Sequence, residues 1–275
     1  SDSRPAASEP QCPKETTVIK VAVVGSKGRM GQAAAEAVRQ APDLQLVAAI
    51  DLGVPPTAVA EAGAEVIIDF TTPDAVMRTL RSCIGSGIHC VVGTTGFTPE
   101  RLEQVRGWCA QSPSVGVLIA PNFSIGAVLM MRLAAKAAPY FESVEIVEEH
   151  HPAKIDAPSG TATLTAQLIE KARAGMQPMP DATSQEVPGA RGAVVHGVHV
   201  HSVRARGLVA HQEVILGGPG ETLRIRHDSL DRESFMPGVL LGVREVGKHP
   251  GLAVGLSTYL DLSGYEDLSG SRGQD

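Results

Sequence analysis

A stretch in the middle of the sequence places two histidines and a lysine just before residues that typically begin a helix. It reads Glu148-Glu-His-His-Pro-Ala-Lys-Ile-Asp-Ala-Pro-Ser-Gly-Thr161. Its helix-entry residues are Ser159, Gly160 and Thr161. Backbone N–H groups at a helix start attract anions, Lys154 adds positive charge, and His150 or His151 can exchange a proton near neutral pH. The combination predicts an acid-base group beside an anion site, although a surface loop with a capped helix is the simpler alternative for any single histidine.

A second chemical pattern is the segment Gly25-Ser-Lys-Gly-Arg-Met-Gly31, between a β-branched run and an Ala-rich stretch with helical spacing. Glycines let the backbone approach a pyrophosphate, and the helix start supplies unpaired N–H groups with partial positive charge. Asp51 follows Gly31 by 20 residues, where a carboxylate can accept hydrogen bonds from ribose hydroxyls. Strand, helix and acid in register favour dinucleotide binding over a glycine-rich turn with a solvated aspartate.

The expected cofactor is NADH or NADPH. The Asp51 carboxylate repels a 2′-phosphate, and the next residues are Leu52 and Gly53 rather than arginine, which favours NADH. Lys27 and Arg29 offer compensating charge, so NADPH use stays open.

Two further loops, residues 93–97 and 120–123, follow apolar runs of the same type. Ligands of doubly wound sheets collect at the carboxyl ends of the strands. Thr94, Thr95 and Asn122 are suited to holding a ribose or a nicotinamide amide, with ordinary turn chemistry as the alternative.

The elements that must position these residues alternate as strand and helix up to about residue 122. Predicted strands cover residues 18–24, 44–50, 65–70, 89–92 and 115–120, and predicted helices 29–41, 74–86 and 99–111. The strands are continuous apolar runs, typical of a parallel sheet covered on both faces. The crossover between residues 51 and 65 is short and carries two prolines, which predicts a loop or a single turn.

Beyond residue 122 the pattern changes, so the fold class is α/β: a Rossmann-type doubly wound parallel sheet plus a second α+β domain with a mixed or antiparallel sheet. That domain has predicted strands at 143–151, 193–205, 211–216 and 221–227 and helices at 124–138 and 161–174. A helix at 231–248 is expected to pack back on the first domain. The expected divisions are a disordered tail (1–16), the dinucleotide domain (17–122 and 231–262), the substrate-binding and oligomerisation domain (123–230) and a loose tail (263–275).

Composition limits the possible functions. The 275 residues are 43% hydrophobic and only 3% aromatic, with a net charge of −6, which excludes a wholly disordered chain and argues against nucleic acid as a partner. The longest apolar runs are too short to cross a membrane. Four cysteines without a C-x-x-C pattern, and the absence of a signal-peptide pattern, predict a cytoplasmic protein with reduced thiols.

Four segments together resemble the dihydrodipicolinate reductase family, also called 4-hydroxy-tetrahydrodipicolinate reductase. They are Gly25-Ser-Lys-Gly-Arg-Met-Gly31, Gly93-Thr-Thr-Gly-Phe97, Ala120-Pro-Asn-Phe-Ser124 and His150-His-Pro-Ala-Lys-Ile-Asp-Ala-Pro-Ser-Gly-Thr161. The resemblance spans residues 18–262, and the last segment is highly specific to the family. It implies an enzyme of the diaminopimelate branch of lysine biosynthesis that reduces a cyclic dicarboxylate with hydride from NADH or NADPH, built as a homotetramer through the mixed sheet of the substrate domain.

The resemblance also implies roles for individual residues. His150 would be the proton donor and acceptor, and Lys154 a second proton donor that pairs with a carboxylate. The implied substrate-binding residues are His151, Ser159, Gly160 and Thr161. The implied cofactor-binding residues are Gly25, Ser26, Lys27, Gly28, Arg29, Met30, Asp51, Gly93, Thr94, Thr95, Ala120, Pro121, Asn122 and Phe123. The lack of an arginine after Asp51 and the short second crossover depart from some members, and both bear on cofactor preference rather than on the reaction.

Sequence features that could indicate other functions have weaker support. His196, His199 and His201 lie on one strand-like run, where two imidazoles on one face could bind zinc, but no acid or cysteine cluster accompanies them. No cysteine has a neighbouring base, which argues against a thioester-forming dehydrogenase. A basic sheet face is expected from Arg204, Arg206, Arg224 and Arg226, more simply solvated than bound to nucleic acid. A non-catalytic NAD(H) sensor stays the alternative from another class, and substrate-dependent oxidation of NADH separates the two.

Overall fold

The computed structural model describes residues 18–51 and 53–260. The predicted tails at 1–16 and 263–275 lie outside these residues. The described chain forms two sheets, one of six strands and one of five. None of the described helices is long and apolar enough to cross a membrane.

The six-stranded sheet is parallel throughout, in the order β11-β5-β4-β3-β1-β2. Its strands are β1 (Ile19–Val24), β2 (Leu44–Ile50), β3 (Val66–Asp69), β4 (His89–Val92), β5 (Gly116–Ile119) and β11 (Gly251–Val254). The helices between them are α1 (Arg29–Gln40), α2 (Thr57–Glu61), α3 (Pro73–Gly85) and α4 (Pro99–Gln111). The predicted short crossover is therefore the five-residue helix α2. The central strands β3 and β5 are buried along their whole length, because helices cover both faces of a parallel sheet.

The chain returns to this sheet after residue 230, as expected from the helical spacing there. The predicted helix begins as a 3₁₀ turn (Arg232–Phe235) and continues as α7 (Met236–Val246). Val239 and Val243 of α7 are fully buried in the core under the sheet, and Arg244 makes a two-pronged ion pair with Asp43 at 2.7 and 2.8 Å. An apolar segment after this helix forms β11 (Gly251–Val254), a sixth parallel strand that was not predicted from the sequence.

The second sheet is mixed and has the order β10-β9-β6-β8-β7. Its strands are β6 (Ser143–His150), β7 (Ala193–Val195), β8 (Val198–Arg204), β9 (Ala210–Gly218) and β10 (Glu221–Ser229). Helices α5 (Ile125–Ala137) and α6 (Gly160–Ala172) pack on one face of this sheet. The single strand predicted at 193–205 is wrong, because a turn at His196 (φ 49°) and Gly197 (φ 73°) folds it into the antiparallel pair β7 and β8. Backbone with positive φ cannot continue a strand.

Candidate active site

The glycine segment forms the turn from β1 into α1, at the carboxyl edge of the parallel sheet. Gly25 has φ 84°, and a Cβ there would lie 2.6 Å from the carbonyl oxygen of Phe70. A Cβ on Gly31 would lie 2.1 Å from the carbonyl oxygen of Gly25. Both positions therefore require glycine, which keeps the turn tight and the start of the helix close to the strand. Gly28, the residue before α1, brings no capping side chain, so the first turn of α1 has no side-chain acceptor for its N–H groups and suits an anion.

Asp51 follows β2 next to this turn. One carboxylate oxygen accepts a hydrogen bond from the backbone N–H of Lys27 at 2.7 Å. This bond joins the glycine turn, predicted to hold the phosphates, to Asp51, predicted to hold the ribose. The Lys27 backbone therefore lies beside the carboxylate that would repel a 2′-phosphate.

A buried carboxylate that the sequence analysis missed lies between the predicted loops. Asp69 ends β3 and accepts hydrogen bonds on Oδ1 from the N–H of Thr71 and from the hydroxyls of Thr71 and Thr94, at 3.0, 2.7 and 2.8 Å. Burial raises the pKa of Asp69 in spite of these donors. The Thr94 hydroxyl is therefore committed to Asp69, whereas Thr95 is exposed. At Gly93 a Cβ would meet the ring of Phe70 at 2.1 Å, so this loop also needs a glycine.

The loop after β5 connects the two sheets. Ala120 and Phe123 are buried, and the Phe123 ring meets the Phe70 ring edge-on at 6.0 Å, so only their backbones can face a dinucleotide. Pro121 is exposed. Asn122 accepts a hydrogen bond from Ser124 N–H at 2.8 Å and donates from Nδ2 to the Thr161 hydroxyl at 3.2 Å.

That contact opens onto a cleft between the two sheets, with both polar and apolar side chains in its walls. Four predicted site residues line it, three from the His-Lys segment and one from the cofactor edge: His150, Ser159, Thr161 and Asn122. Further polar walls, which the sequence analysis did not identify as site residues, come from Ser124, His211, Gln212, His227 and Ser229. The structure thus brings the end of β5 and the end of β6 to the same cleft.

A buried network, also missed from the sequence, holds His150. Glu148 is fully buried and accepts two hydrogen bonds from Arg204, both at 2.8 Å. The same carboxylate contacts His150 Nδ1 at 2.5 Å and accepts the backbone N–H of Ser159 at 3.2 Å. Because side chains alternate along a strand, Glu148 and His150 share a face of β6. Their spacing of two residues is the feature of the sequence that indicates that Glu148 can contact His150.

The network sets the protonation of both partners. Burial works to raise the pKa of Glu148, but hydrogen bonds from Arg204, Ser202 and His150 outweigh it and lower that pKa below its usual value. Burial lowers the pKa of His150, with Glu148 opposing the shift and the charges of Lys154 and Arg204 adding to it. With an ionised carboxylate on Nδ1, the imidazole keeps its proton there and turns Nε2 away from Glu148.

The remaining predicted residues of this segment lie on the loop beside the cleft rather than on its walls. His151 and Gly160 are exposed. Lys154 pairs with Asp156 at 2.7 Å. The pKa of Asp156 is lowered mainly by its hydrogen bond with Lys154, and a hydrogen bond with the Gly160 backbone contributes less. The Asp156 carboxylate thus takes the position at the start of α6 that the sequence analysis assigned to a substrate anion.

The alternative features are engaged in contacts of their own. His199 and His201 share a face of β8, but His201 contacts Glu145 at 2.7 Å and His199 contacts the Arg191 carbonyl at 2.7 Å. His196 lies in the β7–β8 turn, so the three histidines do not share one strand. Within residues 18–51 and 53–260, no group of three or more histidine, cysteine or acidic residues is placed to hold a metal ion.

Three of the four arginines of the expected basic face are paired with acidic residues of the second sheet. Arg224 pairs with Glu213 at 3.1 Å, and Arg226 pairs with Glu149 at 3.0 Å and with Asp228 at 3.0 Å. Arg204 donates two hydrogen bonds of 2.8 Å to Glu148. These pairings leave little of the positive charge that a nucleic-acid surface needs.

Comparison with known families and proteins gives a consistent result. The model described as "Dihydrodipicolinate reductase, N-terminus" matches residues 19–123, and the one described as "Dihydrodipicolinate reductase, C-terminus" matches residues 126–260. The chain is 63% identical over 246 residues to 4-hydroxy-tetrahydrodipicolinate reductase of Nocardia farcinica, covering 89% of this chain and 99% of the relative. It is 59% identical over 244 residues to the protein of the same name from Mycobacterium marinum, covering 89% and 100%.

Solved structures agree with the sequence relatives. A dipicolinate-bound dihydrodipicolinate reductase from Paenisporosarcina sp. TG-14 superposes with a TM-score of 0.80 at 37% identity, covering 88% of this chain and 100% of that one. A myo-inositol 2-dehydrogenase from Lactobacillus plantarum superposes with a TM-score of 0.57 at 11% identity, covering 88% and 93%. The second similarity shows a shared fold alone.

Proposed function

The chain belongs to the dihydrodipicolinate reductase family, and from that premise we propose how its residues carry out the reaction. The reaction is the NAD(P)H-dependent reduction of 4-hydroxy-tetrahydrodipicolinate, a cyclic dicarboxylate, to tetrahydrodipicolinate. The observation that carries the assignment is the position of Asn122, which follows β5 at the cofactor edge, lines the cleft beside His150 and donates to Thr161.

The glycine turn fits the pyrophosphate of NADH or NADPH, since Gly25 and Gly31 keep the turn tight and the start of α1 close to β1. Asp51 would accept hydrogen bonds from the ribose hydroxyls. The N–H groups at the start of α1 would hold the phosphates. The loops after β4 and β5 would hold the rest of the dinucleotide with Gly93, Thr94, Thr95, Ala120, Pro121, Asn122 and Phe123. When bound, the nicotinamide supplies the hydride.

His150 is the proposed proton donor and acceptor. The ring hydroxyl of the substrate leaves as water together with a hydrogen from the neighbouring ring carbon, which gives a conjugated C=C–C=N system. Hydride addition to this system leaves an electron-rich enamine carbon that needs a proton. A dianionic substrate beside the ring raises the pKa of His150 from its depressed value, because nearby negative charge favours the imidazolium. Glu148 holds the ring by Nδ1, so Nε2 delivers the proton and Glu148 stabilises the resulting charge.

The substrate carboxylates would bind at the start of α6 and at Lys154. Thr161 lines the cleft at the start of the helix, and Lys154 adds charge and a second proton. His151, Ser159 and Gly160 complete the proposed substrate contacts. A carboxylate bound there takes the place of Asp156, which occupies this position in the structure.

For the organisation of the molecule, we propose a dinucleotide domain (17–122 and 231–262), a substrate domain (123–230) and a homotetramer. The support for the tetramer is the second sheet, whose face away from α5 and α6 carries the paired charges of Arg224 and Arg226. We place the reaction in the cytoplasm, where unpaired thiols such as Cys83 and Cys90 stay reduced. Light scattering on the purified protein tests the tetramer.

The experiment that tests the function is a coupled assay with freshly prepared substrate, run separately with NADH and NADPH. Wild-type protein oxidises the cofactor only when substrate is present. Lys154→Ala lowers turnover strongly, by about 10²-fold or more if it supplies a proton, and leaves NADH affinity nearly unchanged. The exposed Lys171→Ala on α6 is the matched control, with wild-type turnover. Loss of NADH binding in Lys154→Ala would show that its role is misassigned.

A further inference from the structure

One wall of the cleft carries a hydrogen-bond acceptor that the proposed mechanism does not use. Gln212 lies on β9 between Glu148 of β6 and His227 of β10 in the strand register, and only 4% of the residue is exposed. Its Oε1 atom is buried and has no hydrogen-bond partner among the described residues. A buried acceptor without a donor costs free energy unless a ligand or water supplies the donor.

The direction of the Gln212 amide is fixed by a second pair of hydrogen bonds. The Thr165 hydroxyl donates its only hydrogen to the Thr161 carbonyl at 2.7 Å. The oxygen of Thr165 can therefore only accept from Gln212, and it does so from Nε2 at 2.8 Å. Because Thr165 of α6 holds the amide nitrogen, Oε1 is the Gln212 atom that is available to a ligand in the cleft.

The neighbouring polar groups do not meet this need. The Ser124 hydroxyl is engaged with His227 Nε2 at 3.0 Å and accepts the backbone N–H of Ala127 at 3.3 Å. His211 is held by Asp228 at 2.7 Å. In the proposed function the two substrate carboxylates bind in this cleft, and a carboxylate has no hydrogen to offer the Gln212 acceptor.

We propose that Gln212 Oε1 accepts a hydrogen bond from the ring hydroxyl of the substrate and so selects a hydroxylated ring over one that lacks the hydroxyl. This inference rests on the proposed function, since the hydroxyl is that of 4-hydroxy-tetrahydrodipicolinate. Gln212 contacts Thr165, one helical turn deeper along α6 than the carboxylate site at Thr161. The hydroxyl lies across the ring from the nitrogen and the two carboxylates, so a ring anchored by its carboxylates at the helix start carries its hydroxyl inward.

The test uses stable dicarboxylates that the enzyme cannot reduce, with binding measured by calorimetry in the presence of NADH. Isophthalate has two carboxylates and no ring donor, 5-hydroxyisophthalate adds a hydroxyl opposite them, and piperidine-2,6-dicarboxylate places an N–H donor between them. Wild-type protein binds 5-hydroxyisophthalate about 2- to 10-fold more tightly than isophthalate, the worth of one net hydrogen bond. Gln212→Met, which keeps the side-chain length, brings this ratio to about 1.

Two further variants separate recognition from general damage. Thr165→Val frees the amide to turn and lowers the hydroxyl preference, while isophthalate affinity stays unchanged. The exposed Gln104→Met keeps the wild-type ratio. If Gln212→Met keeps the preference for the hydroxyl, the proposal is overturned. It is also overturned if Gln212→Met loses affinity only for piperidine-2,6-dicarboxylate, because Gln212 would then accept from the ring nitrogen. If no dicarboxylate binds the wild-type protein, the proposed function itself is refuted.

Discussion

Replacing Glu148 by glutamine tests whether this buried carboxylate controls the catalytic histidine. The carboxylate accepts two hydrogen bonds from Arg204, one from Ser159 N–H and one from His150. Glutamine offers one oxygen and an NH₂ group, so it presents a donor to the Arg204 and His150 donors. The guanidinium is left buried without its counter-charge, and the tautomer of His150 is no longer fixed.

The effect on stability follows from the burial of the pair. Removing one partner of a buried ion pair costs about 3–5 kcal/mol, and Glu148 is fully buried while the Arg204 side chain is 19% exposed. The folded-state pKa of Glu148 is lowered, so its stabilisation is complete above the pKa of an unfolded glutamate, about 4.3. It is lost as pH falls through the lower folded-state value. Urea unfolding therefore shows the full difference between variant and wild type at pH 7 and a shrinking difference in acid.

Glu148→Gln also changes catalysis, through the pKa of His150. Glu148 raises the pKa of His150 against burial, so Glu148→Gln lowers it further. If protonated His150 donates the proton, the decline of kcat with rising pH moves to lower pH, and kcat at pH 7 falls by about 10- to 10⁴-fold, up to the full worth of the acid-base step.

A second variant distinguishes positioning from folding. Glu148→Gln combined with Arg204→Met removes both charges, and such replacements are often close to neutral in stability. We expect most of the lost unfolding free energy to return while kcat stays low, because His150 still lacks the negative charge that raises its pKa. Wild-type kcat and an unmoved pH profile in either folded variant would refute the reasoning.

Two further predictions concern the ligand sites. Gly31→Ala places a Cβ 2.1 Å from the carbonyl oxygen of Gly25, so NADH fluorescence titration should show at least a tenfold loss of affinity, worth about 1.4 kcal/mol; Gly85→Ala, with nothing within 4 Å of the new Cβ, is the control and should bind normally. Asp156→Asn removes the internal partner of Lys154, a half-exposed ion pair worth up to about 1 kcal/mol, so KM for the dicarboxylate should fall by up to about fivefold with kcat little changed; a higher KM would mean that Asp156 helps to hold the substrate.

Five of the six parallel strands could be predicted from the sequence, because β1 to β5 are continuous apolar runs separated by segments with helical spacing or a short crossover. The errors arose where the local pattern was ambiguous. Strand β11 has only four residues and lies after the predicted helix at 231–248, in a segment to which no helix or strand was assigned. The break between β7 and β8 depends on the backbone at His196, whose positive φ is uncommon for a residue other than glycine.

For the site, residue types and spacing identified the chemistry but not the contacts. His150, Asn122 and Thr161 meet in one cleft, although nothing in the sequence brings residue 122 beside residue 161. The supporting residues were missed because an isolated glutamate or glutamine in a strand carries no signal of burial. Glu148 becomes informative only when Arg204, from a strand distant in sequence, is known to lie against it.

The central claim is that the cofactor edge and the His150 side chain share one cleft, and a crystal structure with NADH and dipicolinate tests it most directly. We expect the nicotinamide ring beside Asn122, one dipicolinate carboxylate at Thr161 and Lys154, and His150 Nε2 facing the ring of the ligand. A structure with dipicolinate bound away from this cleft, or with the nicotinamide directed away from His150, would contradict the assignment of every proton-transfer role made above.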